Sequence, residues 1–182
     1  MKPMRRDPET EAFDIEKFLR DKAILIEKAM EKYIPRQFTK DALLFKVSPP
    51  RYSVNLEAVN KAVAEPIWEF LDRGGKKWRP SLFLLICEAL GNDADNLIDF
   101  AIIPEVVHNG TLMVDDVEDA SDLRREKPCT YKMYGIDIAL NAGNTMYYLP
   151  MLPLMTRKDD ISIERLWKIY ETYVQEMINL SI

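Results

Sequence analysis

The sequence has little cysteine and histidine, and neither is arranged as a metal-binding or disulfide framework. Two cysteines, Cys87 and Cys129, and one histidine, His108, occur among 182 residues. The cysteines show no CxxC spacing and no dense pattern of the kind found in small secreted domains. This excludes a zinc-finger or disulfide-stapled fold. It favours a reducing compartment, so we predict a cytoplasmic protein.

The sequence also lacks an excess of positive charge and a long uninterrupted apolar run. Lys and Arg number 25 and Asp and Glu number 30, which gives a formal net charge of −5. Such a chain does not offer the basic field that nucleic-acid partners require, so we expect no nucleic acid. The sequence contains no uninterrupted run of about 20 apolar residues, so we predict no transmembrane segment. The basic start is followed by acids rather than by the apolar core of a signal peptide.

The sequence does contain strong helical periodicity. Apolar residues make up 47% of the chain and recur at helical spacing in several segments. No segment alternates as a half-buried strand does. We therefore predict one all-α domain over residues 1–182, an antiparallel bundle of about six helices. The first predicted helix ends at Pro35, four more cover residues 56–71, 81–90, 93–119 and 131–155, and the last runs from residue 160 to the last residue. We expect kinks at Pro66 and Pro104, and breaks at Pro150 and Pro153 in the fifth helix.

An acidic cluster, Asp115-Asp116-Val117-Glu118-Asp119, follows an apolar helical segment. Residues four apart share one face of a helix, so Asp115 and Asp119 should project together, with Asp116 beside them. Crowded carboxylates repel one another unless a cation lies between them, and Mg²⁺ commonly bridges one or two carboxylates to substrate phosphates. Taken alone, the cluster is more typical of a solvated acidic helix end, because short motifs of this kind often occur without function.

Cationic groups flank this cluster in the sequence. His108 lies seven residues before Asp115, two turns earlier on the same face. A Gly-Gly-Lys-Lys-Trp-Arg-Pro segment covers residues 74–80, and Arg124-Arg125 follows the acids. Helix amino ends, lysines and arginines bind phosphate well. Each feature alone has a plain structural explanation, namely a lone surface histidine, a helix corner and a basic loop. Their joint presence predicts a polyanion site.

Together these motifs resemble the trans-prenyl diphosphate synthases, the family of farnesyl and geranylgeranyl diphosphate synthases. The family motif Gly-Gly-Lys-x-x-Arg-Pro matches residues 74–80, and Asp-Asp-x-x-Asp followed by Arg-Arg matches residues 115–125. Residues 134–144 also look like the family's fifth helix. The resemblance implies the isoprenoid synthase fold. It also implies head-to-tail 1′-4 condensation of isopentenyl diphosphate with an allylic prenyl diphosphate.

The resemblance also implies roles for individual residues. The catalytic set would be Asp115, Asp116, Asp119 and Arg124, with Asp115 and Asp119 binding Mg²⁺ and Arg124 binding the allylic diphosphate. The diphosphate of isopentenyl diphosphate would be bound by Lys76, Arg79, His108 and Arg125. Small residues five and four positions before the first aspartate, Gly110 and Thr111, would leave room for a long product. We therefore predict geranylgeranyl diphosphate.

The resemblance further implies parts that this sequence does not contain. The family's second half carries a Gly-Gln pair, a further lysine and a second aspartate cluster. We expect the chain to be the amino-terminal portion of the fold, without the carboxy-terminal helices. We expect it to need the second half or a partner subunit for activity, to expose apolar faces on its last two helices, and to form a homodimer or hetero-oligomer.

Three other interpretations stay open at this point. The chain can be a non-catalytic or regulatory substrate-binding subunit of a heteromeric prenyl synthase. It can be a terpene synthase, although the Gly-Gly-Lys-x-x-Arg-Pro segment argues for a second diphosphate site that cyclisation does not need. It can also be a helical interaction module, which would show no Mg²⁺-dependent diphosphate binding.

Overall fold

A computed structural model describes residues 14–44 and 51–181, and this part of the chain is mainly helical. The predicted all-α class is confirmed, with one short two-stranded ribbon as the exception among the described residues. The α-helices are α1 (Ile15–Tyr33), α2 (Lys40–Leu44), α3 (Leu56–Val59), α4 (Glu65–Leu71), α5 (Trp78–Ala89), α6 (Ile98–Glu118), α7 (Thr130–Tyr134), α8 (Ile136–Tyr148), α9 (Leu152–Thr156) and α10 (Ile163–Leu180). The ribbon pairs β1 (Leu123–Arg124) with β2 (Lys127–Pro128).

Two predicted helices are subdivided, and both divisions have a local cause. The predicted helix over residues 56–71 contains a π-helical segment, Asn60–Ala64, in which the Glu65 N–H donates to the Asn60 carbonyl. This wide turn immediately precedes Pro66, which has no N–H to donate. The predicted helix over residues 131–155 breaks at Gly135, whose φ of +96° is not helical, and again at a 3₁₀ turn around Pro150. By contrast, α6 runs unbroken through Pro104.

Helix α6 is the centre of the fold. It packs against α8 on one side and against α1 and α5 on others. The closest approach to α8 is at Gly110, where an added Cβ would lie 2.9 Å from the Gly143 carbonyl oxygen and 2.9 Å from Met146 Cβ. The buried core around α6 includes Ile26, Met30, Phe70, Leu84, Ile102, Val106, Met113 and Met146. These contacts fix the rotation of α6, and therefore which of its polar residues are buried.

One stretch of the described residues, Asp95–Glu118, is long and apolar enough to cross a membrane by length and composition. Half of its most apolar window is buried inside the fold. Its apolar residues pack against α1, α5 and α8. In this structure the stretch therefore serves as the core helix.

Apolar side chains are exposed on the last helices, as expected from the sequence. Along α10 the buried residue is Leu166. Large exposed side chains near the end of the described chain are Tyr148, Met155, Ile163, Trp167, Tyr170, Ile178 and Leu180. This face of the fold lacks covering neighbours among the residues that the structure describes.

Candidate functional site

The acidic cluster lies at the carboxy-terminal end of α6 and contains two kinds of aspartate. Asp115 and Asp119 are exposed and one turn apart, with the Asp119 N–H donating to the Asp115 carbonyl at 2.8 Å. Asp116 is fully buried. Asp115 and Asp119 therefore lie one helical turn apart at the surface, and Asp116 differs from them in its environment.

Asp116 forms an ion pair with Arg124. Both the Nε and the Nη2 of Arg124 donate to Asp116 Oδ1, at 3.0 and 2.6 Å. The other carboxylate oxygen, Oδ2, is buried without a hydrogen-bond partner among the described residues. Burial, followed by the neighbouring Asp116, raises the pKa of the Cys129 thiol to about 11. Asp116 thus orients Arg124 from within the fold.

The two arginines after the acids lie on the β1–β2 ribbon. Its turn is formed by Arg125 and Glu126, whose φ angles are +52° and +64°. This is the geometry of a two-residue hairpin turn that normally selects Asn-Gly. Arg73 holds the ribbon by donating to the carbonyls of Arg124 at 3.1 Å and Pro128 at 2.9 Å, and it pairs with Glu69. Backbone contacts therefore fix where the two arginines lie.

The Gly-Gly-Lys corner precedes α5 and has a left-handed backbone. Gly74, Gly75 and Lys77 have φ angles of +86°, +146° and +47°. Lys76, the predicted ligand, is exposed, whereas Lys77 is buried with its Nζ 3.5 Å from Glu105 Oε1. Two glycines relieve the strain of this path, because they lack a Cβ. The corner thus turns one lysine outward and the next one inward.

The corner, α6 and the arginine turn meet at Arg125. Its Nη1 donates to the Gly74 carbonyl at 2.5 Å, and its Nη2 donates to Asn109 Oδ1 at 2.9 Å. Asn109 and His108 are neighbours on α6. The structure therefore brings together segments that are 51 residues apart in the sequence.

His108 lies in the electrostatic field of the same groups. It is half-buried, and burial lowers its pKa, with the positive charge of Arg79 as the next cause. Arg125 acts in the same direction, whereas Glu105 and Asp115 oppose the shift. A lowered pKa keeps the imidazole neutral near pH 7, where it can donate one hydrogen bond to an anion.

A groove-like cavity of about 1200 Å³ borders the site at Arg79 and His108. Its lining does not include Lys76, Arg124, Arg125 or the aspartates of the acidic cluster. It extends along α6 between α5 and α10, and its wall is mainly apolar. Its lining includes Arg79, Phe83, Phe100, Val107, His108, Thr111 and Tyr173. Thr111 is part of the wall. Gly110 lies elsewhere, against α8, so any effect of Gly110 on product length would act through helix packing.

The exposed carboxylates of Asp115 and Asp119 offer oxygen ligands to a divalent cation. Among residues 14–44 and 51–181, no three His, Cys, Asp or Glu side chains are grouped closely enough to hold a metal. Asp115 and Asp119 provide exposed carboxylate oxygens, which are the donors that Mg²⁺ prefers. The donor set fits an Mg²⁺ ion that takes its remaining ligands from water and from phosphate oxygens.

Sequence reasoning missed four residues that build this site, namely Arg73, Lys77, Glu105 and Asn109. Glu105 left a signal, because it is a single carboxylate inside the apolar run of residues 100–107. For Lys77 the sequence gives no signal that distinguishes it from its neighbour Lys76. Arg73 and Asn109 act through long-range contacts that no local pattern predicts.

Comparisons with known proteins agree with this picture. The family described as Polyprenyl synthetase matches residues 60–181. The geranylgeranyl pyrophosphate synthase of Geoglobus acetivorans is 44% identical over 78 residues, which is 43% of this chain and 24% of that protein. The large subunit 1 of a heterodimeric geranylgeranyl pyrophosphate synthase of Arabidopsis thaliana is 30% identical over 143 residues, 78% of this chain and 33% of that protein.

A solved structure has the same fold. The geranylgeranyl pyrophosphate synthetase from Geoglobus acetivorans superposes with a TM-score of 0.68 and 25% identity, covering 88% of this chain and 44% of that one. The chain thus spans about a quarter to a third of the curated relatives named above and less than half of this structure.

Proposed function

Because the chain belongs to the polyprenyl synthetase family, we propose that it forms part of the active site of a prenyltransferase. The reaction is the head-to-tail condensation of isopentenyl diphosphate with an allylic prenyl diphosphate, giving a longer trans-prenyl diphosphate. The observation that supports this most directly is the convergence at Arg125, which contacts both the Gly74 carbonyl and Asn109. It joins the two basic segments to the helix that carries the aspartates.

The proposed site has two halves with different chemistry. Asp115 and Asp119 would hold Mg²⁺, which when bound would supply positive charge to offset the charge that develops on the departing allylic diphosphate. Arg124, oriented by Asp116, adds a fixed positive charge to the same anion. Preorganised charges of this kind stabilise a leaving polyanion because they need no rearrangement during bond breaking.

The second half binds isopentenyl diphosphate without a metal. Arg79 and His108 provide donors in the cavity lining, and Arg125 provides a guanidinium held between the Gly74 carbonyl and Asn109. Lys76 provides a further, solvent-exposed charge. Burial lowers the pKa of His108, and its neutral imidazole can donate one hydrogen bond to a phosphate oxygen. The largely apolar groove offers the reacting carbons an apolar wall.

The cavity also bears on product length. Thr111 is a small residue in its wall, four residues before Asp115, and the space extends beyond it along α6. We propose geranylgeranyl diphosphate as the product. Replacing Thr111 with Phe blocks this space, so chromatography of the products should show shorter chains. Unchanged length would contradict the proposed path of the growing chain.

We propose that turnover requires further polypeptide. The described residues supply one aspartate cluster and leave apolar faces on α8 and α10 uncovered. A second-half polypeptide or partner subunit, in a hetero-oligomer or within a homodimer, would complete the metal site. The printed name of the Arabidopsis relative describes a heterodimeric enzyme. The cytoplasmic location, the single domain over residues 1–182 and the two alternatives of a regulatory subunit and a terpene synthase stay predictions.

The test combines binding with incorporation of labelled isopentenyl diphosphate. We expect calorimetry to detect isopentenyl diphosphate binding in EDTA and geranyl diphosphate binding that requires Mg²⁺. The double variant Asp115→Asn/Asp119→Asn should lose the Mg²⁺-dependent binding alone, whereas Asp159→Asn, a change at another exposed aspartate, should lose neither. Incorporation should appear when a second-half polypeptide is added.

Each alternative predicts a different result. A terpene synthase would bind geranyl diphosphate with Mg²⁺ but not isopentenyl diphosphate in EDTA. A regulatory subunit would bind these ligands without condensing them. Incorporation would then depend on the aspartates of the partner subunit and not on those of this chain. Absence of both binding events would refute the proposed function.

A further inference from the structure

Arg125 differs from the other arginines near the site in what holds it. Arg124 pairs with Asp116, and Arg73 pairs with Glu69. Arg125 instead donates to two neutral acceptors, the Gly74 carbonyl and the Asn109 side-chain oxygen, and no carboxylate of the described residues forms an ion pair with it. Its orientation is therefore fixed while its charge stays available for an anion.

Asn109 can do this because its own amide is fixed. The side chain is fully buried, and Nδ2 donates to the Glu105 carbonyl at 2.7 Å and to Glu105 Oε1 at 3.2 Å. Both donor hydrogens therefore face Glu105, and Oδ1 faces Arg125. A rotated amide would place NH₂ against the guanidinium and oxygen against oxygen, losing all three hydrogen bonds.

Glu105 is held in turn by Lys77. The two side chains form an ion pair at 3.5 Å with 2% and 7% exposure, and Lys77 has a left-handed backbone at the start of α5. A buried carboxylate without its partner would be strongly unfavourable, because its desolvation would be uncompensated. Lys77 therefore balances Glu105 locally, so that the carboxylate orients Asn109 without drawing in Arg125.

We infer that Asn109, together with the buried Lys77–Glu105 pair, positions Arg125 for the diphosphate of isopentenyl diphosphate. Asn109 is a positioning residue, since it contacts Arg125 and lies buried beneath it. This inference rests on the proposed function of the site. It adds, behind the predicted ligand Arg125, three positioning residues that the motif comparison did not assign.

The test measures isopentenyl diphosphate affinity in EDTA by calorimetry, for the chain and its variants. Asn109→Leu removes the acceptor at nearly constant volume and should weaken binding about tenfold, as expected for one charge-assisted hydrogen bond. Arg125→Ala should weaken it by at least as much. Asn141→Leu, at an exposed position on α8, is the matched control and should bind as the unmodified chain does.

A second set of variants separates positioning from general stability. Lys77→Met leaves Glu105 unpaired and should weaken binding, whereas Lys77→Met/Glu105→Gln removes both charges and should recover affinity to within about threefold. Mg²⁺-dependent geranyl diphosphate binding should not change in any of these variants. If these residues had a merely structural role, the variants would lose affinity for both ligands together, and the loss would parallel the fall in melting temperature.

The outcomes are distinguishable. If the unmodified chain does not bind isopentenyl diphosphate, the proposed function fails and this inference fails with it. If it binds and Asn109→Leu binds equally well, the inference alone is overturned. If the double variant is no better than Lys77→Met, the ion pair has no positioning role, and that part of the inference is overturned.

Discussion

Gly110 and Thr111 are adjacent residues, yet the structure predicts that replacing Gly110 by Ala destabilises the fold and that replacing Thr111 by Ala does not. In Gly110→Ala the new methyl group would lie 2.9 Å from the Gly143 carbonyl oxygen, 2.9 Å from Met146 Cβ and 3.1 Å from Tyr147 Cε1. Ordinary van der Waals contact begins at 3.4 Å, so these atoms must separate by a few tenths of an ångström. A backbone oxygen in a helix cannot move alone. Helices α6 and α8 must therefore move apart.

The net magnitude follows from two opposing terms. Replacing Gly by Ala in a helix stabilises it by about 1 kcal/mol, whereas overpacking a close contact costs about 1–3 kcal/mol. We expect Gly110→Ala to lower the free energy of unfolding by about 1 kcal/mol. In a chain of this size this corresponds to a fall of roughly 2–4 °C in Tm. Gly143→Ala should behave alike, because its methyl group would lie 2.9 Å from Val114 Cγ2.

The assay is urea and thermal unfolding followed by circular dichroism. Thr111→Ala is the control, since Thr111 faces the cavity and should change stability by no more than about 0.5 kcal/mol. If Gly110→Ala were more stable than the unmodified chain, the helix contact would not be as close as described. The explanation of Gly110 as a packing residue would then be refuted.

Three further changes test the local geometry of the site. Glu126→Gly removes the Cβ that strains the left-handed backbone at this position of the ribbon turn, so a urea titration should show the free energy of unfolding raised by about 0.5–1 kcal/mol. A loss of stability would contradict the turn geometry. Asp116→Asn should lower the free energy of unfolding by about 2 kcal/mol. It should also lower the pKa of the Cys129 thiol, measured by thiolate absorbance, because the charge beside the thiol is removed. An unchanged Cys129 pKa would refute the contact. The lowered pKa of His108 means that the unfolded chain binds more protons than the folded chain just below the ordinary histidine pKa, so stability falls with acidification. His108→Gln should therefore gain stability relative to the unmodified chain from about pH 7 to 5, and a constant difference would argue against the shift.

The fold class and part of the site could be predicted because they depend on residue patterns that are local in the sequence. Helical periodicity gave α1, α5, α6 and α10 with errors of a few residues at their ends. The same periodicity predicted Asp115 and Asp119 on one face of their helix. The break near Pro150 followed from the sequence, whereas the break at Gly135 and the π-helical segment before Pro66 did not, since such positions allow several local solutions. Neighbouring helices decide which one is adopted.

The sequence by itself determined the helical class, the aspartate pair at the end of an apolar helix and the two basic segments. Side-chain type and the 3.6-residue period of a helix suffice for those features. Tertiary structure alone decided that Lys77 and not Lys76 is buried, that Asp116 faces Arg124, and that Gly110 packs on α8 while Thr111 faces the cavity. These outcomes depend on how each helix is rotated against its neighbours. That rotation is set by contacts between residues distant in the chain, such as Arg125 and Gly74.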